Sequence, residues 1–181
     1  MSGHWVFVCG PSGAGKDSVI SWARERLQGN PKLVFARRMI TRAQQTGSDH
    51  DPVTPEQFEQ LAATGRLAWQ WQAHGFSYGI DAHYATDVAA GKTVVVNGSR
   101  EHCSPLQGQP QIRLVQISTD AQELARRLAQ RGRDGEHAVS LRLARNAEFV
   151  EWQADHTILN QAELPIAGLA LVDYLLNIAT V

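Results

Sequence analysis

The residues best placed to do chemistry lie near the start of the chain, where Trp5-Val6-Phe7-Val8-Cys9 runs into Gly10-Pro11-Ser12-Gly13-Ala14-Gly15-Lys16-Asp17-Ser18. Four residues separate Gly10 from Gly15, and Lys16 follows at once. At that spacing a glycine-rich turn aims successive backbone N–H groups inward, a lysine reaches the β- and γ-phosphates of a nucleotide, and the positive end of the next helix adds to both. Gly10, Pro11, Ser12, Gly13, Ala14, Gly15, Lys16, Asp17 and Ser18 are therefore the candidate residues for binding a nucleotide's phosphates, with Lys16 as the candidate catalytic cation. After the lysine the pattern asks for a serine or threonine whose hydroxyl binds Mg²⁺; here Asp17 stands there and Ser18 follows. Mg²⁺ accepts a carboxylate beside phosphate oxygens, so Asp17 is the candidate metal ligand, a helix-start cap being its other reading.

Further polar groups gather where apolar runs end. Leu33-Val34-Phe35-Ala36 leads into Arg37, Arg38 and Arg42. Ligands of open α/β sheets bind beyond the carboxyl ends of the strands, so Arg38 and Arg42 are expected to clamp an acceptor phosphate. Asp49-His50-Asp51 closes a polar stretch; Asp51 is a candidate for sugar hydroxyls, with a turn held by local Asx bonds as the alternative. His74 to Gly79 reads as a turn with an exposed phenol at Tyr78, and Asn97 follows the β-branched run Thr93-Val94-Val95-Val96. Arg131-Gly132-Arg133, with Arg142 on a following helix, could bring guanidinium groups over a transferring phosphate and exclude water. Arg131, Arg133 and Arg142 are accordingly catalytic candidates.

The elements that must hold these groups alternate between strand and helix. Residues 5–9 read as a buried strand, and 16–28 as a helix with Val19, Ile20, Trp22, Ala23 and Leu27 on its apolar side. Thr54-Pro55-Glu56-Gln57 is a capping box opening a helix to about residue 64, and Leu67 to Ala73 alternates as a half-buried strand of a small antiparallel lobe. A helix over 81–90, strands over 93–96, 112–117 and 156–160, a loop over 101–110, a helix capped by Asp120 and an apolar helix over 163–178 complete the pattern. Strand and helix in alternation predict an α/β fold around a parallel sheet.

At 181 residues the chain suits one domain, and a net charge of -1 gives no reason to expect a nucleic-acid or acidic-membrane surface. No apolar run approaches the ~20 residues that span a bilayer, and the start carries no signal pattern, so a cytoplasmic protein is expected. Cys9 and Cys103 make neither a disulfide framework nor a metal cluster. The oligomeric state is left open, with a homodimer as the candidate.

Taken in order, Gly10 to Ser18, Ile40-Thr41-Arg42, Tyr78-Gly79, Arg131-Gly132-Arg133, Arg142-Leu143 and Ile158-Leu159-Asn160 resemble the guanylate-kinase-like branch of nucleoside-monophosphate kinases over nearly the whole chain. The resemblance implies one P-loop kinase domain over 1–181: a three-layer α/β fold with a central parallel sheet, a small acceptor-binding lobe at about 39–83 and a short arginine-bearing lid at about 131–137. It implies ATP and Mg²⁺ as cofactors. The departures matter too. Where guanylate kinases read the base stand Trp69 and Ile80, and Gln45 replaces a second phosphate-binding arginine. A purine edge would lose its partners there, which disfavours guanine, while Arg38 favours an acceptor with more phosphate and no base.

Within that branch, Gly-Lys-Asp-Ser at 15–18, Asp-His-Asp at 49–51, Trp-Gln-Ala-His-Gly at 71–75 and Val-Asn-Gly-Ser-Arg at 96–100 are similar to the kinases of ribose 1,5-bisphosphate in phosphonate breakdown. The reaction this implies is ATP-dependent phosphorylation of that small phosphorylated sugar, at its 5-phosphate, to 5-phosphoribosyl 1-diphosphate. A guanylate-type nucleoside-monophosphate kinase is the alternative. A non-catalytic binding module of the same fold is the other, and the intact Lys16 speaks against it.

Overall fold

The computed structural model describes residues 3–44, 49–130 and 153–180. Its centre is β1 (His4–Cys9), which pairs in parallel with β7 (Thr93–Asn97) on one side and β8 (Ile112–Ser118) on the other. With β2 (Leu33–Phe35) and β9 (His156–Leu159) at the edges, the sheet runs β2-β7-β1-β8-β9, parallel throughout. A parallel sheet needs cover on both faces, which is why its strands read as unbroken apolar runs. Period-two alternation divides β1 accordingly: Val6 and Val8 pack under α1 (Lys16–Arg26) and α6 (Leu164–Thr180), while Trp5, Phe7 and Cys9 join the core on the opposite face.

That opposite face is covered by a second, four-stranded sheet ordered β4-β3-β6-β5. It comprises β3 (Arg38–Ile40), β4 (His50–Pro52), β5 (Leu67–Ala73) and β6 (Phe76–Asp81), with α2 (Pro55–Ala63) between β4 and β5. The predicted capping box is present: the Thr54 side chain accepts from Gln57 N, and the Gln57 side chain accepts from Thr54 N. Helices α3 (His83–Ala89), α4 (Arg100–Cys103) and α5 (Ala121–Gln130) complete the described elements. The loop expected over 101–110 thus holds a short helix followed by a 3₁₀ turn at Ser104–Leu106.

Two expectations change here. Arg38 does not end the strand before it; β2 stops at Phe35, and Arg38 opens β3 in the second sheet. The exposed turn expected from His74 to Gly79 shrinks to His74 and Gly75, whose φ values of 53° and 76° close a two-residue hairpin with Ala73 opposite Phe76. Two positive φ values in a row twist as the flanking strands do, so the chain turns at once and the rest becomes strand. Tyr78 is consequently buried, at 6% exposure, instead of presenting a free phenol.

Candidate active site

Leaving β1, the chain bends at Gly10 with φ 149° and again at Gly13 and Gly15 with φ 93° and 88°. Close approach reinforces the need for glycine at two of them. A Cβ on Gly10 would lie 2.1 Å from the Ile117 carbonyl oxygen, and one on Gly15 would lie 2.4 Å from Asn160 Nδ2. Lys16 Nζ folds back over the loop and donates to the carbonyls of Gly10 at 2.9 Å and Pro11 at 3.2 Å. Burial pushes its ammonium down to about 8, with the neighbouring Asp17 carboxylate opposing the shift. A cation so poorly hydrated is ready to exchange carbonyl oxygens for phosphate oxygens.

Two residues that sequence reasoning left without a role hold the loop from behind. The Ala14 carbonyl accepts from Asn160 Nδ2 at 2.8 Å and from Arg127 Nη1 at 3.4 Å, and Arg127 Nη2 donates to the Asn160 carbonyl at 2.9 Å. Glu123 accepts from Arg127 Nε at 2.6 Å and fixes the guanidinium. Asn160 is buried and comes from the end of β9, so its part in the loop depends on sheet order, which no local pattern discloses. Asn160→Ala removes the closest side-chain donor to the Ala14 carbonyl and is expected to cost about 1–3 kcal/mol in stability and to weaken ATP binding, read by denaturant unfolding and nucleotide titration.

The candidate acceptor residues lie on or beside the second sheet. Arg38 lies with its guanidinium carbon 5.8 Å from the centre of the Tyr78 ring, and burial lowers its pKa. Tyr78 stacks on Trp71 at 5.4 Å and 9°, and Trp71 on His102 of α4 at 4.8 Å and 21°. This column fixes the wall from which Arg38 projects. Arg42 lies 5.6 Å from the Phe76 ring centre, further along the same sheet. Trp69 and Ile80 stand opposite each other across β5 and β6, and Trp69 meets Trp5 and Phe7 edge-on at 5.7 Å and 5.3 Å.

The glycine-rich loop's helix and the candidate acceptor residues meet at Asp17. Its Oδ1 accepts from Asn97 Nδ2 at 2.8 Å and from Arg38 Nη2 at 3.4 Å, which brings α1, β7 and β3 together. Arg100, buried on α4, adds a positive field felt at Lys16; sequence reasoning named it only as part of a motif. Ser18 is exposed on α1.

Asp51 is placed elsewhere: it accepts from Arg37 Nε at 3.0 Å and Nη2 at 2.8 Å, while Asp49 pairs with Arg24 and Arg37. His50 is buried, its Nε2 3.1 Å from the Arg42 carbonyl oxygen. In this arrangement Asp49-His50-Asp51 ties the edge of the second sheet to α1. Gln45, Arg131, Arg133, Arg142 and the 131–137 lid lie outside the described residues.

Among the described residues no three His, Cys, Asp or Glu side chains gather as a metal site of their own. One carboxylate beside a phosphate-binding loop is nevertheless the donor set Mg²⁺ takes when it arrives with a nucleotide, and Asp17 fits it.

No protein-family model matches the chain. Curated relatives do. A ribose 1,5-bisphosphate phosphokinase PhnN of Thiobacillus denitrificans is 40% identical over 176 residues, covering 96% of this chain and 93% of that one. Those of Acidiphilium cryptum and Brucella melitensis are 42% and 39% identical, over 97% and 98% of this chain and 94% of each relative. The chain belongs to the ribose 1,5-bisphosphate phosphokinase PhnN family. Among solved structures, a guanylate kinase from Anaplasma phagocytophilum superimposes with a TM-score of 0.71 over 97% of this chain and 86% of that one. Its 16% identity makes that a likeness of fold, in agreement with the guanylate-kinase-like architecture expected. No helix among the described residues is long and apolar enough to cross a membrane.

Proposed function

We propose that this chain transfers the γ-phosphoryl group of ATP to ribose 1,5-bisphosphate, giving 5-phosphoribosyl 1-diphosphate and ADP in phosphonate breakdown. One observation carries the reading beyond family membership: the phosphate loop and a buried acceptor-side guanidinium meet at a single carboxylate, Arg38 against Asp17 at 3.4 Å. Donor and acceptor phosphates bound to these two sides would lie within reach of each other, which is the main task in phosphoryl transfer between phosphates.

Atom balance decides which oxygen attacks. Phosphorylating the 5-phosphate, the sequence-based expectation, would build a 5-diphosphate. The 1-diphosphate requires an oxygen of the 1-phosphate to attack the γ-phosphorus while the bond to the β,γ-bridging oxygen breaks and ADP leaves. A phosphate monoester is ionised at neutral pH, so no general base is needed. Lys16 and the arginines at 131, 133 and 142 would neutralise the donor side; Arg38 and Arg42 would hold the acceptor, with the buried Tyr78 ring supporting Arg38 from behind. Mg²⁺, bound with ATP near Asp17, supplies further charge neutralisation on the phosphates. Asn97, whose Oδ1 has no partner among the described residues, remains the candidate for the sugar hydroxyls, whereas Asp51 is taken up by Arg37. The cytoplasm, where ATP is plentiful, is the compartment this chemistry calls for.

A coupled assay of ADP release separates this reading from that of a nucleoside-monophosphate kinase. Ribose 1,5-bisphosphate is expected to drive turnover and GMP to leave it at background. Strong turnover with GMP alone would overturn the proposal.

A further inference from the structure

P-loop nucleotide sites commonly hold Mg²⁺ between a hydroxyl that follows the loop lysine and a carboxylate borne by a nearby strand. In this chain the carboxylate stands at the position after the lysine instead of on the strand. The carboxylate, Asp17, follows Lys16 on α1, and the end of β7, which lies beside β1 in the sheet, carries the neutral amide Asn97. The two groups touch: Asn97 Nδ2 donates to Asp17 Oδ1 at 2.8 Å. Arg38 Nη2 approaches the same oxygen at 3.4 Å. Oδ1 is thus engaged from two sides, whereas Oδ2 accepts no hydrogen bond from the described residues, on a side chain about half exposed at 49%.

We propose that Asn97 is a positioning residue that grips Asp17 by Oδ1 and so presents Oδ2 to the Mg²⁺ that comes with ATP; the inference rests on the reading of the loop as an ATP site. A carboxylate next to a triphosphate is repelled by it and turns away unless something holds it. The amide supplies that hold without adding a second negative charge. Its orientation is set by the contact itself, because a flipped amide would set oxygen against oxygen. Groups that orient a metal ligand typically govern metal affinity by 10–100-fold. The arrangement also accounts for the amide at position 97: an aspartate there would set two carboxylates at hydrogen-bond distance, so the exchange has to be made at both positions together.

The test is a calorimetric titration of the whole protein with AMP-PNP, with and without Mg²⁺ and without any acceptor. Mg²⁺ is expected to strengthen binding to the wild-type protein, and Asn97→Ala is expected to weaken Mg²⁺ affinity in the ternary complex by roughly 10-fold or more. Asp17→Ser should abolish most of the Mg²⁺ effect, and the double variant Asp17→Ser with Asn97→Asp should recover it by restoring the usual pairing. A merely structural role for Asn97 predicts no such recovery. Asn97→Ala with unchanged Mg²⁺ dependence, or a double variant no better than Asp17→Ser, would overturn the proposal. Wild-type protein that binds no AMP-PNP would remove the ATP reading and this inference with it, whereas rejection of ribose 1,5-bisphosphate as substrate would leave both standing.

Discussion

Replacing Lys16 by methionine is expected to lower kcat roughly 100- to 1,000-fold, the scale on which a single preorganised charge acts on a transition state. The fold should survive. Among the described residues Lys16 Nζ donates to the Gly10 and Pro11 carbonyls alone, and burial has already driven its pKa from 10.5 down to about 8. A group whose cationic form is disfavoured in the folded state takes stability away while it is charged, and the loss is relieved as pH rises from about 8 toward 10.5. An apolar side chain of similar length removes that penalty, so thermal unfolding of the variant near neutral pH should come no earlier than that of the wild type. The same pKa sets a signature in the wild type. ATP affinity should fall as pH rises above about 8 and the ammonium deprotonates, with bound nucleotide moving the transition upward, and the methionine variant should lack that limb. Equal turnover by wild type and variant would remove the phosphate loop from the mechanism.

The second large effect is expected at Arg38. Its guanidinium, 12% exposed, packs on Tyr78 and is directed at Asp17, and would be the cation of the proposed acceptor wall. Arg38→Met should raise the KM for the phosphorylated acceptor roughly 100-fold, within the range for removing one member of a buried, charge-assisted contact. The KM for ATP should change far less. Arg38→Lys should fall between the two, because an ammonium keeps the charge but loses the planar fork that grips a phosphate and lies flat on an aromatic ring. Steady-state kinetics with each substrate varied in turn gives the answer. A rise confined to the KM for ATP would assign Arg38 to the donor side instead.

How far the sequence discloses this site depends on the range of each contact. The phosphate loop is legible because strand, glycines and lysine are consecutive, and their spacing alone dictates the turn. The parallel sheet is legible from the runs over β1, β7 and β8, although their order is not. Arg38 stands out in the sequence as a candidate acceptor cation, but its contact with Asp17 depends on β3 leaving the main sheet to join the second one. Tyr78 misled for a local reason: a histidine in the left-handed region at position 74 closes the hairpin earlier than a glycine-based reading allows. Asp51 has the chemistry of a sugar ligand, and only the fold brings Arg37 to it. Asn160 and Arg127 were invisible as supports of the loop, since they reach Ala14 from 146 and 113 residues away.

The most direct measurement is the identity of the product. Purified protein with ATP, Mg²⁺ and ribose 1,5-bisphosphate, followed by ³¹P NMR, should show the 1-phosphate signal replaced by the coupled pair of a diphosphate, while the 5-phosphate signal persists and ADP accumulates in equal amount. An unchanged 1-phosphate signal while ATP is consumed, or a new diphosphate at the 5-position, would contradict it.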